Sequence, residues 1–395
     1  MSAVALVGWG ETTHWSRKLI PRPFPWTSKP FSAGQYWICF EMIAEDGSLV
    51  IARVRLPRHP DAPPTISEED EQYSIACEVA TMAFVSQNVP AITLPQIYAY
   101  EGPGSQLAAD AGAIYMLLEG FYGNTLQDIA IQEHIISQWT RVQVELATLA
   151  YPRIGSISSV STTGEPVIGR LASASAEGLR CHGPFSRTAE YFTTVADAPI
   201  SKLDLTDTDS NGVLSFTVLG AFVFRDIVQN TTLFEDSDAE GRFPLNHMDL
   251  GTQNILVDDR FNFRAIIDWE FAQTAPWQVN HYPMPFLLLE SDTEIQGILQ
   301  NPNHPAHGNV SRQEFARRLY TKKFRDAEGK TGRSLGSSFA EVLNSPASRI
   351  YACFTKLGRL PMADAGLVHE MVRLAFDLDA EGTEWYLYDL PHPNI

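Results

Sequence analysis

An α+β fold is the class this 395-residue sequence predicts. β-rich runs crowd its first third around a single helix-spaced segment, whereas most later segments carry apolar residues at helical spacing. Strands and helices segregated in this way, rather than alternating, point to α+β instead of a parallel α/β sheet.

Residues 1–30 are aromatic and proline-rich, ending "RPFPWTSKP", and read as an extended lead-in. "YWICFEMIAEDGSLVIARVRL" is a hairpin, with two β-rich runs around a turn at Asp46-Gly47. A proline-broken polar loop follows, then "YSIACEVATMAFVSQN", with Ile75, Val79, Met82 and Val85 at helical spacing. "ITLPQIYAYE" and "AIYMLLEGF" are strand candidates separated by a Gly/Ala/Asp-rich loop. Beyond residue 123 the chain turns helical. "SQWTRVQVELATLA" offers Ser137 as an N-cap and Trp139, Val142, Leu146 and Leu149 on one face. "FTVLGAFVFRDIVQN", "SRQEFARRLYTKKFRDA", "SPASRIYACFTKLGRL" and "GLVHEMVRLAF" are further helix candidates. The expected division is a lead-in at 1–30, a small lobe at 31–118 and a large lobe at 119–395.

A formal charge of −18 argues against a nucleic-acid partner, which needs a basic surface. No apolar run approaches the length of a membrane span, and the N-terminus makes a poor signal peptide. The four cysteines lack CxxC spacing and read as reduced thiols, so the expected location is cytoplasmic.

The chemistry concentrates in "HMDLGTQNILVDDRFNFRAIIDWE", residues 247–270. Ile255–Val257 and Phe263–Ile267 flank a polar centre; a hairpin turning at Phe261 sets Asn254 opposite Asp268 at its open end. An amide oxygen and a carboxylate at that spacing can share a hard cation such as Mg²⁺, which keeps room for water and phosphate. Asp249, five residues earlier, is a spare carboxylate able to accept the proton of an attacking hydroxyl. Asp and Asn also populate turns and caps for structural reasons alone.

"HMDLGTQNILVDD…IIDWEFA" resembles the Brenner-type motif of aminoglycoside phosphotransferases, choline kinases and related small-molecule kinases, which share a fold with protein kinases. Among them it looks most similar to fungal members of unassigned substrate, through "GPFSRTAEYF" and "YPRIGSI". The resemblance implies a two-lobed protein-kinase-like fold, with a small antiparallel-sheet lobe carrying one helix and a larger, mostly helical lobe. It also implies ATP and Mg²⁺ as cofactors and a small-molecule hydroxyl as acceptor. Asp249 would be the catalytic aspartate, His247 the residue bracing its loop, and Asn254 and Asp268 the metal ligands. Nothing like Ala-Pro-Glu follows "DWE", which disfavours a protein substrate. In the small lobe the resemblance implies Arg53 on a strand as the phosphate-holding cation, where lysine is usual, and Glu78 on the helix as its partner. Arg55 is the rival, because it faces the same side of the strand. Ser32 and Gly34 would cover the phosphates, and the backbone of Leu118, Glu119 and Gly120 would meet adenine. A nucleotide-binding scaffold, a protein kinase and a biosynthetic catalyst reusing the fold are the competing functions. Glu290, Asp292 and Glu294 are candidates to meet an amine, though a solvated loop accounts for them better.

Overall fold

The computed structural model describes residues 30–33, 36–57, 67–126, 132–172, 182–201, 215–235, 241–283, 286–359 and 363–390. Gly34 and nearly all of the expected lead-in lie outside the described residues. The chain divides into two compact units interleaved in sequence. The first comprises residues 1–129, 158–167 and 252–270, and the second 130–157, 168–251 and 271–395.

The first unit is built on β1 (Ser32–Ala33), β2 (Trp37–Ile43), β3 (Leu49–Arg55), α1 (Glu68–Asn88), β4 (Ile97–Glu101), α2 (Gln106–Ala111), β5 (Tyr115–Glu119) and β6 (Asn124–Thr125). The first five strands form one antiparallel sheet in the order β1-β2-β3-β5-β4. The β2–β3 hairpin turns where the sequence places it, with Gly47 at φ +84°, a left-handed conformation that costs glycine little. Met42, Ala44, Val50, Ala52, Tyr115 and Leu117 bury together as one core cluster. Helix α1 opens on a capping box in which Ser67 accepts from Asp70 N and the Asp70 carboxylate accepts from Ser67 N. Its buried stripe is Ile75, Glu78, Met82 and Val85; Val79 is half-buried. A carboxylate thus occupies a position that periodicity alone assigns to an apolar residue. Where the sequence suggested a loop, α2 forms, because Ser105 caps its first turn and Gly112 closes its last in the left-handed conformation.

The remaining elements are α3 (Glu133–Ala147), β7 (Ala150–Tyr151), the hairpin β8 (Ile157–Val160) and β9 (Pro166–Ile168), α4 (Thr188–Ile200), α5 (Phe216–Asn230), β10 (Phe243–Asn246), β11 (Ile255–Val257), β12 (Phe263–Ile266) and β13 (Gln273–Thr274). Then come α6 (Asp292–Gln300), α7 (His307–Thr331), α8 (Phe339–Val342), α9 (Pro346–Phe354), α10 (Asp364–Phe376) and α11 (Ala380–Asp389). Helix α3 begins one turn before Ser137, whose hydroxyl donates to Glu133 O at 2.8 Å and therefore caps nothing. In the second unit Trp139 of α3 packs against Phe286 and Tyr320, with ring centroids 6.1 and 6.2 Å away. A second aromatic centre joins α4, α5 and α9 through Phe192, Phe224 and Tyr351, with Phe234 beside them. The small sheet β13-β10-β7 carries the chain into the 247–251 segment. The fold is α+β: an antiparallel sheet with one long helix in the first unit, and a mostly helical second unit.

Candidate functional site

The first unit gathers a cluster of opposite charges on one face of its sheet. Register pairs Ser32 with Cys39 and Cys39 with Arg53, so these three side chains share a row and a face. Arg53 Nη1 lies 2.6 Å from Glu78 Oε1, and Nη2 lies 3.7 Å from Asp268 Oδ1. The Arg53 guanidinium also rests 4.9 Å from the centroid of the buried Trp37 ring. Burial alone would lower its affinity for a proton, but Glu78, Asp268 and then Glu270 outweigh that and hold it firmly charged. Arg55 turns instead to Glu71 at 3.7 Å, with its guanidinium over the Tyr36 and Trp37 rings. The two candidate cations are thereby distinguished by their partners.

The 252–270 segment contributes the remaining groups. Asn254 ends a single 3₁₀ turn, Thr252–Asn254, and is buried. The β11–β12 hairpin departs from the symmetric arrangement expected from sequence. The pairing of Val257 with Phe263 centres the turn on Arg260 rather than Phe261; a register shift between Leu256 and Val257 recovers one residue, so Ile255 faces Ile266 and Ile267 N donates to Asn254 O at 3.0 Å. Asn254 therefore stands opposite Ile267, and Asp268 falls one residue beyond the ladder. Phe261 takes the turn at φ +59°, and Asp268 itself sits at φ +66°. A non-glycine residue held in the left-handed region is a strained position that the surroundings must enforce. Ile266 N bonds Thr93 O at 2.9 Å and the Trp269 indole N–H donates to Ile266 O at 3.0 Å, clamping the residues on both sides.

Sequence reasoning passed over Glu270. Its carboxyl is pushed up to about 8, first by burial and then by the charges of Asp268 and Glu78, with Arg53 and Arg55 offsetting part of the shift. The signal was available, since Glu270 is two residues past Asp268. The stability consequence has a definite sign. From the ordinary 4.5 up to about 8 the unfolded chain releases this proton while the fold retains it, so stability falls as pH rises through that window. In chelator, Glu270→Gln should gain melting temperature over the parent between about pH 5 and pH 8, with the gain levelling off above. A difference independent of pH, measured by calorimetric melts, would remove Glu270 from the cluster.

At the connector, Leu118 is buried within β5, the Glu119 N–H donates to Gln96 O at 2.8 Å, and the Gly120 N–H donates to Leu49 O at 2.9 Å. A Cβ at Gly120 would collide with the Leu49 side chain, so close strand approach alone requires the glycine. Those two N–H groups serve the sheet.

In the second unit His247 follows β10 and is buried, and Met248 packs against the main core of that unit at φ +64°. Asp249 O accepts from Gly251 N at 2.8 Å, tightening the loop. The acidic trio is structural. Asp292 takes both oxygens to Arg349 Nη1 at 2.8 and 2.9 Å, and Glu294 completes a capping box with Ser291. Glu290 lends its backbone oxygen to Arg349 at 3.3 Å.

Among the described residues no group of three or more His, Cys, Asp or Glu side chains is arranged to hold a metal ion, and no helix is long and apolar enough to cross a membrane. Glu78 and Asp268 both reach the Arg53 guanidinium, and Asn254 is buried on the segment that carries Asp268.

No family model and no curated protein matches the chain. Solved structures similar to it include a macrolide 2'-phosphotransferase from Brachybacterium faecium, 11% identical over 96% of this chain and 94% of that one, with a TM-score of 0.40. A microcompartment-associated aminopropanol kinase is 14% identical over 92% and 93% of the two chains, with a TM-score of 0.45. An amicoumacin kinase solved in complex with AMP-PNP, Ca²⁺ and Ami is 13% identical over 91% and 85%, with a TM-score of 0.43. Likeness at this level carries no function across; the similar chains found are small-molecule kinases and phosphotransferases.

Proposed function

We propose that the protein is an ATP- and Mg²⁺-dependent phosphotransferase that moves the γ-phosphate to a hydroxyl of a small molecule. The observation that carries this reading is the buried Arg53–Glu78 pair with Asp268 within 3.7 Å of the same guanidinium. A strand cation fixed by a helix carboxylate, beside an aspartate able to hold Mg²⁺, is one established way of binding and orienting a triphosphate. In this reading residues 31–118 form the nucleotide lobe and residues 119–395 supply catalysis and the acceptor pocket.

Arg53 holds phosphate oxygens through its planar fork, and Glu78 keeps that fork aimed. Ser32 of β1 and Gly34 are assigned to covering the phosphates; Ser32 shares a row of the sheet with Arg53 across Cys39, which supports its part. Leu118, Glu119 and Gly120 border the adenine. Asn254 and Asp268 hold Mg²⁺, which when bound neutralises charge on the phosphates. Asp249 accepts the proton of the acceptor hydroxyl and orients it, and His247 braces the loop that carries Asp249.

A ligand that binds the fold and not the unfolded chain stabilises it by mass action, by about 2.7 kcal/mol at a hundred times its dissociation constant. ATP should therefore raise the melting temperature substantially more with Mg²⁺ than with EDTA. Equal shifts in the two buffers would contradict the metal assignment.

A further inference from the structure

We propose that the Arg55–Glu71 ion pair is a second rung between β3 and α1, a positioning contact that sets the helix so that Glu78 meets Arg53. The inference rests on the nucleotide-site reading above and names residues outside its ligand set. On β3 the two arginines are two residues apart and share a face. On α1 Glu71 and Glu78 are seven residues apart, two helical turns, and also share a face. Arg53 takes the later glutamate and Arg55 the earlier, at 2.6 and 3.7 Å, so the rungs run antiparallel.

The second rung supplies what the first cannot. The buried stripe and the Arg53–Glu78 pair hold the middle of α1; a second pair about 10 Å along the axis also resists tilting of its N-terminal turns. The buried stripe of α1 begins only at Ile75, and the residues at 71–74 are all half-buried. Glu71 thus gives the N-terminal turns of α1 an ion pair to β3 ahead of that stripe. Its partner is held ready, because the Arg55 guanidinium lies 4.8 Å from the Tyr36 ring centroid and 5.3 Å from that of Trp37. The Trp37 ring also lies 4.9 Å from the Arg53 guanidinium, so one indole packs against both cations.

The test measures nucleotide affinity by calorimetry, and amide exchange across residues 68–74 without nucleotide, in the parent, Glu71→Lys, Glu71→Asp, Arg55→Gln, the Glu71→Gln/Arg55→Gln double variant and, as a reference for the nucleotide site, Arg53→Ala. Glu71→Lys should weaken ATP binding about three- to tenfold, as expected for reversing a half-exposed pair, and speed exchange in those turns. Glu71→Asp keeps the charge and should recover most of the affinity. The double variant should lose no more than Arg55→Gln alone, since the pair acts as one unit. Unchanged affinity and exchange in Glu71→Lys, while Arg53→Ala abolishes binding, would overturn the rung and leave the nucleotide site standing. A parent that binds no ATP would overturn both.

Discussion

Asp249→Asn should leave ATP affinity near that of the parent and cut phosphoryl transfer by roughly 10²–10⁴-fold, the usual worth of a positioned general base. An amide preserves the shape of the carboxylate but cannot take the hydroxyl proton. A loose transition state asks the base mainly to orient the nucleophile, which places the expected loss toward the lower end of that range. Asp268→Ala behaves differently in this account, because Mg²⁺-dependent binding and turnover fall together when a metal ligand is lost. Titration calorimetry and ADP release on the two variants separate the roles. Full turnover by Asp249→Asn would move the proton-accepting role elsewhere.

Removing Arg53 carries two costs. Glu78 is 2% exposed, so Arg53→Ala leaves a buried carboxylate without its cation, which typically destabilises by about 3–5 kcal/mol. Nucleotide binding should be lost as well, and the two effects need separating. The double variant Arg53→Met/Glu78→Leu replaces the pair by apolar side chains and should recover most of the stability. It should not recover ATP binding. Arg53→Lys, which keeps the charge but has a single ammonium, should keep the Glu78 contact and retain measurable affinity. Denaturant melts and calorimetry on the same three proteins are the check. ATP binding by the apolar double variant would show that Arg53 serves only the fold.

Local chemistry made much of this molecule legible in its sequence. Asp46-Gly47 set the first hairpin, and "FTVLGAFVFRDIVQN" coincides with α5 because Ser215 caps it and its apolar residues recur at helical spacing. Helix α4 was missed: its threonine pair and Pro199 mask a helix that is held by packing Tyr191, Phe192 and Val195 into the core. The 247–270 segment stood out because its polar residues interrupt two apolar strands. What could not be read there was the skipped residue in β12, since a bulge leaves no pattern in composition. Glu71 and Glu270 were visible as residues but not as participants. Their roles depend on which side of α1 meets the sheet and how far Arg53 and Arg55 reach, and both are tertiary facts. The choice between those arginines is of the same kind, because adjacent positions on one strand face are equivalent until a partner breaks the tie.

Phosphoryl transfer itself is the claim to test. Parent protein, Asp249→Asn and Asp268→Ala should be incubated with Mg²⁺-ATP and a panel of hydroxyl-bearing small molecules, following ADP release and the mass of each candidate acceptor. Expected are ADP from the parent together with an acceptor heavier by one phosphoryl group, and release of both products slower by about a hundredfold or more in the two variants. ATP binding by the parent with no ADP and no phosphorylated acceptor anywhere in a broad panel, or equal ADP release from all three proteins, would contradict it.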